Sequence, residues 1–301
     1  MFELELLEKI RAIFNATDPS LIVGNGDDGA VYSPKNNQVV SADVSVEGVH
    51  FRCDWSDYRE IGLKVTAGNL ADIYAMGGIP KFLIVTLVLP VRHLDGALDI
   101  AQGILEEARK VGAIVIGGDI STGEELSISI TAIGEVKKPI LRSGARTGDL
   151  IQVSSLPGAS AAGLAILQQN KKPNSELQKK VVLAHKAPEI EYRKYESVID
   201  ICNSAIDISD GLLIDCSRIS SASGVKLELN LEKIAQSELK EIDSNRYMEW
   251  VLTGGEDHKL LVTSNRQIPG FIEIGKVVEG SGVYLDGAEV KPSGYLHHWD
   301  G

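Results

Sequence analysis

Along the first fourteen residues, Leu6, Leu7, Ile10, Ile13 and Phe14 recur at helical spacing among Glu3, Glu5, Glu8, Lys9 and Arg11. This is the pattern of an amphipathic surface helix. Residues 21–23 then read as a short strand entering a glycine-rich turn, and 30–32 with 39–46 read as a hairpin around Ser33-Pro34-Lys35-Asn36-Asn37. From 60 to 76, the positions of Ile61, Val65, Leu70, Ile73 and Met76 predict a helix ended by Gly77-Gly78 and Pro80. A buried strand over 82–89, a helix over 94–111 with Leu98, Ala101, Leu105 and Ala108 on one face, and strands over 113–116 and 126–136 follow. Residues 136–149 break the pattern, since Lys137, Lys138, Pro139, Arg142 and two glycines make a basic connector. Beyond it the pattern predicts strands over 150–153, 225–229, 258–262, 272–278 and 283–285, with another ending near Ile206. Helices are expected over 159–168, 176–185, 189–197 and 212–222. Interleaved strands and helices on both sides of the connector predict an α/β (α+β) protein of two lobes, 1–137 and 138–301.

With 301 residues, 44% of them hydrophobic and 24% charged, the chain is long enough to bury a large core, which excludes disorder, collagen and coiled coil. Its 42 Asp and Glu against 30 Lys and Arg give a formal charge of -12. A nucleic-acid binder carries a basic face, so nucleic acid is excluded, and an anionic ligand would need metal ions to invert the charge. The longest apolar run, Phe82 to Leu89, is interrupted by Thr86 and stopped by Pro90, far short of the ~20 residues that span a bilayer. The charged N-terminal segment lacks the contiguous apolar stretch of a signal peptide. A cytoplasmic protein with no membrane partner is the expectation. Cys53, Cys202 and Cys216 are odd in number and lack CxxC spacing, so they read as reduced packing residues and indicate neither a disulfide framework nor a zinc site.

The carboxylates change the picture. Gly24-Asn25-Gly26-Asp27-Asp28-Gly29 fits GxGxxG, but Ala30-Val31-Tyr32 and a proline turn follow it where a dinucleotide fold needs a helix, and two adjacent aspartates would repel a bare phosphate. An Asp-Asp pair on a glycine loop suits Mg2+, which takes oxygen ligands and bridges to substrate phosphates; a charged surface turn is the plainer alternative. Asp43 closes an apolar strand, Asp72 sits inside an apolar helix, Asp119 follows Ile114-Val115-Ile116-Gly117-Gly118, and Asp207 and Asp210 flank Ile208-Ser209. A carboxylate among apolar residues costs several kcal/mol to desolvate unless a cation or strong donors compensate it. Asp210, before Gly211-Leu212, also reads as a helix N-cap. Together these acids point to one polymetal site where strand ends converge. Phosphoryl transfer from ATP is the chemistry that needs several Mg2+ ions, and Arg142 in the connector is a candidate cation for the nucleotide. GxxxxGK[ST] and the protein-kinase motifs are missing from the sequence.

These segments resemble a family. Gly26-Asp27-Asp28-Gly29-Ala30-Val31, Ser41-Ala42-Asp43-Val44-Ser45-Val46-Glu47-Gly48-Val49-His50-Phe51, and Asn69-Leu70-Ala71-Asp72-Ile73-Tyr74-Ala75-Met76-Gly77 are joined by Gly117-Gly118-Asp119, Arg142-Ser143-Gly144-Ala145, Ala205-Ile206-Asp207-Ile208-Ser209-Asp210-Gly211 and Gly254-Gly255-Glu256-Asp257. In this order, over about 26–295, they resemble the thiamine-monophosphate kinases of the superfamily named for aminoimidazole ribonucleotide synthetase. The resemblance implies a two-lobe fold of that superfamily, with an N-terminal mixed sheet for metal, ATP and dimerisation and a C-terminal α/β lobe for substrate. It implies ATP-dependent conversion of thiamine monophosphate to thiamine diphosphate with several Mg2+ ions, in a homodimer joined through the N-terminal sheets. Asp28, Ser41, Ala42 through its backbone, Asp43, Asp72, Asp119, Asp207 and Asp210 match the metal positions, with Asp43, Asp72 and Asp210 central to catalysis. Gly118, Asp119, Arg142 and Ser209 match the nucleotide side, and His50, Glu256 and Tyr295 the substrate contacts.

Three positions depart from the family pattern: Ala42 replaces a threonine, Ala71 a serine, and His258 a tyrosine. Every acidic position is kept, so the departures bear on affinity near His258 and not on phosphoryl transfer. Other readings use the same carboxylates: another Mg2+-dependent ATP-using enzyme of the superfamily, a Mg2+-dependent phosphohydrolase with water as acceptor, or a divalent-ion binder without turnover. The selenophosphate-synthesising branch would need a reactive Cys near the N-terminus, and the hydrogenase-maturation branch a C-terminal Cys. This chain has Cys53 as its first cysteine and ends Leu296-His297-His298-Trp299-Asp300-Gly301.

Overall fold

Asp57-Tyr58-Arg59-Glu60 is a capping box: the Glu60 amide donates to Asp57 Oδ1 at 2.7 Å and the Asp57 amide to Glu60 Oε2 at 2.9 Å. These reciprocal bonds open the helix Tyr58–Ala75. It stops at Gly77, whose φ of 72° is open to glycine and strained for other residues. The computed structural model that contains this helix describes residues 3–296. It divides into two units, one running to Tyr74 and then from Gly78 to Lys138, the other taking Ala75–Gly77 and continuing from Pro139.

The first unit holds, in chain order, α1 (Glu3–Ile13), β1 (Leu21–Val23), β2 (Val31–Tyr32), β3 (Asn37–Val46), α2 (Tyr58–Ala75), β4 (Ile79–Val88), α3 (Ala97–Lys110), β5 (Ile114–Ser121) and β6 (Ser127–Val136). Four strands form a sheet in the order β3-β6-β4-β5, with only β4 and β5 parallel. The core buries Leu83, Val85, Ile128 and Ile130 of the sheet with Ile61, Leu70, Ile73, Ile100 and Ile104 of the helices. Each such side chain withdrawn from water contributes about 1.5–3 kcal/mol. α2 and α3 meet backbone to backbone through two glycines: a Cβ on Gly62 would lie 2.3 Å from the Ile100 carbonyl oxygen, and one on Gly103 2.2 Å from that of Arg59.

The hairpin expected between 30–32 and 39–46 does not form. β2 pairs with β1, and this ribbon sets Leu21, Ala30 and Tyr32 against Phe82, Ile116 and Ile133. β3 pairs along its whole length with β6, from Asn37 opposite Val136 to Val46 opposite Ser127, because a ten-residue partner offers more bonds than a two-residue one. The strand expected at 113–116 runs on to Ser121, so Gly117, Gly118 and Asp119 lie within β5. Its glycines do not end the strand; they permit it, since a Cβ on Gly118 would meet the Val85 carbonyl oxygen at 1.9 Å.

The second unit holds β7 (Leu150–Val153), α4 (Ala159–Gln168), α5 (Glu176–Lys186), α6 (Tyr192–Glu196), β8 (Ser204–Ile208), α7 (Leu212–Ser223), β9 (Lys226–Leu229), α8 (Leu231–Ile234), α9 (Tyr247–Thr253), β10 (Lys259–Ser264), β11 (Ile272–Val278), β12 (Gly282–Leu285) and β13 (Ala288–Glu289). Its sheet runs β13-β12-β9-β11-β7-β10-β8, leaving β8 at an edge. Ile206, Ile208, Leu212, Ile219, Leu227, Val251 and Leu261 belong to one buried cluster. α8, α9 and β13 are too short to show a period in the sequence. No helix among the described residues is long and apolar enough to cross a membrane.

Gly103→Ala is expected to destabilise the protein by about 1–3 kcal/mol, the usual cost of overpacking a close helix crossing. Denaturant unfolding checks it; an unchanged midpoint would mean that α2 and α3 separate without cost.

Candidate active site

In the first unit, β3 is an edge strand carrying Ser41, Ala42 and Asp43. α2 brings Asp72 to it, and Ser41 Oγ donates to Asp72 Oδ2 at 2.6 Å. Ala71 and Ile73 on either side of Asp72 are fully buried, so this hydroxyl offsets part of the desolvation cost of a carboxylate in an apolar helix. Asp43 is exposed, and its carbonyl oxygen accepts from Ser129 Oγ at 3.1 Å. Just beyond, the Val46 amide donates to His50 Nδ1 at 3.1 Å, fixing the ring against the end of β3.

A second acidic group lies on the glycine loop. Asn25 Nδ2 donates to the Val115 carbonyl at 2.8 Å, tying the loop to β5. Asp27 and Asp28 there line a cleft of about 150 Å³ together with Gly117, Gly118 and Asp119, with apolar walls from Leu7 of α1, Phe14 just after it, and Ile100 and Ile104 of α3. Asp43 and Asp119 are not brought together within this unit. β6 and β4 separate their strands, with Asp43 in register with Ile130 and Asp119 with Thr86. At ~4.8 Å per strand their backbones stand roughly 14 Å apart. Among the described residues no three carboxylates of this unit gather within 4.8 Å.

In the second unit the expected residues meet at one loop junction. Asp207 is buried on β8, with Oδ2 3.3 Å from His258 Nδ1. The Glu256 amide donates to the Ser209 carbonyl at 2.7 Å, the His258 amide to that of Ile208 at 2.9 Å, and the Tyr295 amide to that of Asp210 at 2.8 Å. Asp207, Ser209, Asp210, Glu256 and Tyr295 are thereby gathered. Glu256 and His258 hold left-handed backbone at φ 62° and 49°, a strained state that persists only where neighbours enforce it. Arg142 starts a short 3-10 turn whose carbonyl accepts from Ser223 Oγ at 2.7 Å, and its guanidinium is exposed.

Five side chains to which the sequence assigns no role hold this junction. Asp257 accepts from the Gly158 and Ser160 amides at 2.6 and 3.1 Å, at the start of α4, and burial raises its carboxyl against the pull of those amides. Its neighbour Glu256 has Oε2 3.6 Å from His185 Nδ1, which also lies 3.0 Å from Ser160 Oγ. Asp210 does not cap α7. Gly211 is the N-cap, and Asp215, fully buried, accepts from the Asp210 and Gly211 amides at 3.2 and 3.3 Å. An acid four residues into the helix reaches back more easily than Asp210 can, because Gly211 turns the chain at φ 130°. Burial pushes Asp215 up to about 6, with Arg218 opposing. Arg218 bridges Asp215 and Asp210 at 2.5 and 2.6 Å. An Asp five residues and an Arg eight residues after Asp210 are spacings visible in the chain, but only the turn at Gly211 makes them converge.

The donor chemistry fits Mg2+. Asp28, Asp43 and Asp119 are exposed acids that form no ion pair with Lys or Arg among the described residues. Mg2+ takes one or two carboxylates and fills its octahedron with water and phosphate oxygens, so pairs of acids suffice where triads are absent.

The superfamily description "AIR synthase related protein, N-terminal domain" matches residues 26–136. The thiamine-monophosphate kinase of Aquifex aeolicus is 31% identical over 297 residues, 95% of each chain, and that of Bacillus subtilis 36% identical over 283 residues, 89% of this chain and 85% of the other. Among solved structures, the thiamine-monophosphate kinase of Stenotrophomonas maltophilia superposes with a TM-score of 0.86 at 29% identity, covering 96% of this chain and 98% of its own. A complex of AaThiL with AMPPCP and TMP superposes with a TM-score of 0.83 at 32% identity, covering 98% and 97%. Full-length similarity of this kind, together with the acidic loop, the β3–α2 pair and the loop junction, places the chain in the thiamine-monophosphate kinase family.

Proposed function

We propose that the protein transfers the γ-phosphoryl group of ATP to the phosphate of thiamine monophosphate, giving ADP and thiamine diphosphate. The observation that carries this reading is the AaThiL complex, which holds an ATP analogue and thiamine monophosphate together and matches this chain over 98% of its length. Asp28, Asp43, Asp72, Asp119, Asp207 and Asp210 would hold Mg2+, with Ser41 and the Ala42 carbonyl completing the set. When bound, Mg2+ supplies the positive charge that neutralises phosphate oxygens in the transfer. Asp72 is aimed by Ser41, and Asp210 by Arg218. Gly118, Asp119, Arg142 and Ser209 serve the nucleotide. The exposed Arg142 guanidinium gives a bidentate contact for phosphate.

His50 supports the substrate phosphate, Glu256 the cationic thiamine or its aminopyrimidine, and Tyr295 a stacking face; Tyr295 is 45% exposed. His258 replaces the family tyrosine and is held by Asp207, so this change alters the second unit's junction and not the first unit's acids. Its dependence on ATP points to the cytoplasm.

We also infer a homodimer. Val40, Val44 and Ile84 are 60%, 55% and 36% exposed on the four-stranded sheet. Val40, Val44 and Ile84 share one face, because Val40 is opposite Ile133, Val44 opposite Ser129 and Ile84 opposite Thr131, alternate residues of β6. A second copy's sheet is the occupant that fits, since it supplies the same apolar rows in return. It also offers a second Asp119 beyond the roughly 14 Å that separate Asp43 and Asp119 within one chain.

With ATP, Mg2+ and thiamine monophosphate, ADP and thiamine diphosphate should form in equal amounts; ADP alone would refute the transfer and point to a phosphohydrolase. Asp43→Asn and Asp72→Asn should each lower kcat by at least about 10²-fold, roughly 2.7 kcal/mol of transition-state stabilisation, with an unchanged circular dichroism spectrum. Unchanged activity at saturating Mg2+ would remove them from the metal set. In sedimentation, the wild type should run at twice the chain mass and Val44→Arg at the chain mass, while a monomeric wild type would remove the dimer.

A further inference from the structure

Outside the aspartate groups, one cluster of mixed chemistry is unused by the proposed reaction. Glu47, Cys53 and His93 offer a carboxylate oxygen, a sulfur and an imidazole nitrogen that all lie within 4.8 Å of one another. They come from separate places: Glu47 follows β3, Cys53 lies six residues on, and His93 sits in the 3-10 turn Val91–Gly96 before α3. Glu47 Oε2 is 3.0 Å from His93 Nε2. His93 is 8% exposed.

The surroundings orient these donors. Tyr58 Oη lies 2.9 Å from His93 Nδ1, and the two rings meet edge to face at 5.8 Å. Tyr58 is itself clamped, since a Cβ on Gly96 would meet its ring at 2.4 Å. A partner on Nδ1 that fixes the ring and presents Nε2 is the arrangement of metal-ligating histidines. Arg92 reaches the same Glu47 oxygen at 3.2 Å, but is also held by Glu125 at 2.8 Å and the Glu124 carbonyl at 2.5 Å. It therefore keeps partners of its own when Glu47 turns to another cation.

Two other roles fit less well. A nucleophilic cysteine needs an imidazole as its base, and here both ring nitrogens of His93 are engaged, one by Tyr58 and the other by Glu47. Burial and Glu47 also push the Cys53 thiol up to about 12, away from a free thiolate. Without an ion, the Cys53 thiol is a hydrogen-bond partner of the Glu47 carboxylate, which sets the sulfur beside that oxygen. A hard cation has no use for the sulfur, because Mg2+ selects oxygen ligands.

We propose that Glu47 Oε2, Cys53 Sγ and His93 Nε2 bind one Zn2+-class ion, a borderline-soft divalent cation, at a site separate from the carboxylates. Tetrahedral Zn2+ with ordinary ligand lengths sets N, O and S donors about 3.3–3.6 Å apart, and the observed 3.0 Å between oxygen and nitrogen opens to this by a few tenths of an ångström. Three protein ligands leave a fourth position for water. Glu47 and Cys53 flank the segment whose Gly48 amide donates to the Phe51 carbonyl at 2.8 Å, so the ion fastens both ends of the turn that carries His50 to the start of α3.

The test uses the full chain, stripped by chelator and titrated with Zn2+ in excess Mg2+ against a chromogenic chelator, with Co2+ as a spectroscopic probe. One Zn2+ per chain should be retained, and Co2+ should give a near-ultraviolet thiolate-to-metal charge-transfer band. Cys53→Ser should abolish that band, and Cys53→Ser and His93→Gln should each weaken Zn2+ binding by more than about tenfold, with Tyr58→Phe costing about 10–100-fold through ring orientation. Asp43→Asn should leave both stoichiometry and band in place. Displacement of Zn2+ by Mg2+, a wild type without the band, or full Zn2+ affinity in both ligand variants would overturn the site. Circular dichroism checks that the variants fold, and the wild-type band decides independently of them.

Discussion

The structure depends on how it treats negative charge, because a carboxylate taken out of water must find donors within the protein or give up its ionised form. Asp215 and Asp257 are the buried solutions. Asp215 is met by two backbone amides and Arg218, and Asp257 by the first amides of α4. Both are complete within the chain, and both support turns whose glycines have positive φ, Gly211 and Gly158. Asp28, Asp43 and Asp119 are the opposite case. They stay in water, take no Lys or Arg among the described residues, and leave their oxygens to something that arrives from solution. The formal charge of -12 is thus divided between acids that the fold consumes and acids that it keeps available.

Strain at the second junction follows from the same rule. Glu256 and His258 are held with left-handed backbone because Asp257, between them, is locked by α4 while their own amides are taken by β8 and the residue after it. Such strain costs of the order of 1–3 kcal/mol per residue, and the buried bonds of Asp257 oppose it. His185 of α5 then approaches both Glu256 and Ser160 of α4, so a side chain on a strained turn still has a defined position. A carboxylate held this way is better placed for any ligand than one on a free loop, because its ordering cost is met before binding.

Much of the fold was legible because local period and tertiary need agree. α4 over Ala159–Gln168, β7 over Leu150–Val153 and β11 over Ile272–Val278 lie where the apolar pattern puts them. Local reading failed where partners are distant. Residues 30–32 and 39–46 suggest a hairpin, yet β6 outcompetes so short a neighbour from ninety residues away. Gly117-Gly118 reads as a strand end, and only the closeness of Val85 shows why glycine is needed within the strand. The acidic residues of the site were legible as types in unusual settings; their grouping was not. That Asp43 and Asp119 stand on opposite edges of one sheet is a property of strand order, which no spacing in the chain encodes.

The cysteines carry the same lesson further. Spacing such as CxxC detects metal sites in which adjacent residues supply the ligands, and Cys53 has no such neighbour. Its sulfur acquires company through the turn after β3 and the chain reversal before α3, which bring Glu47 and His93 within reach. Hard oxygen donors and this mixed set select different ions by ligand type and not by affinity alone. Keeping them on separate elements would let Mg2+ exchange at the aspartates without competing for sulfur. Segregating donor chemistry would therefore let a strongly acidic chain reserve its aspartates for the cation that accompanies phosphate.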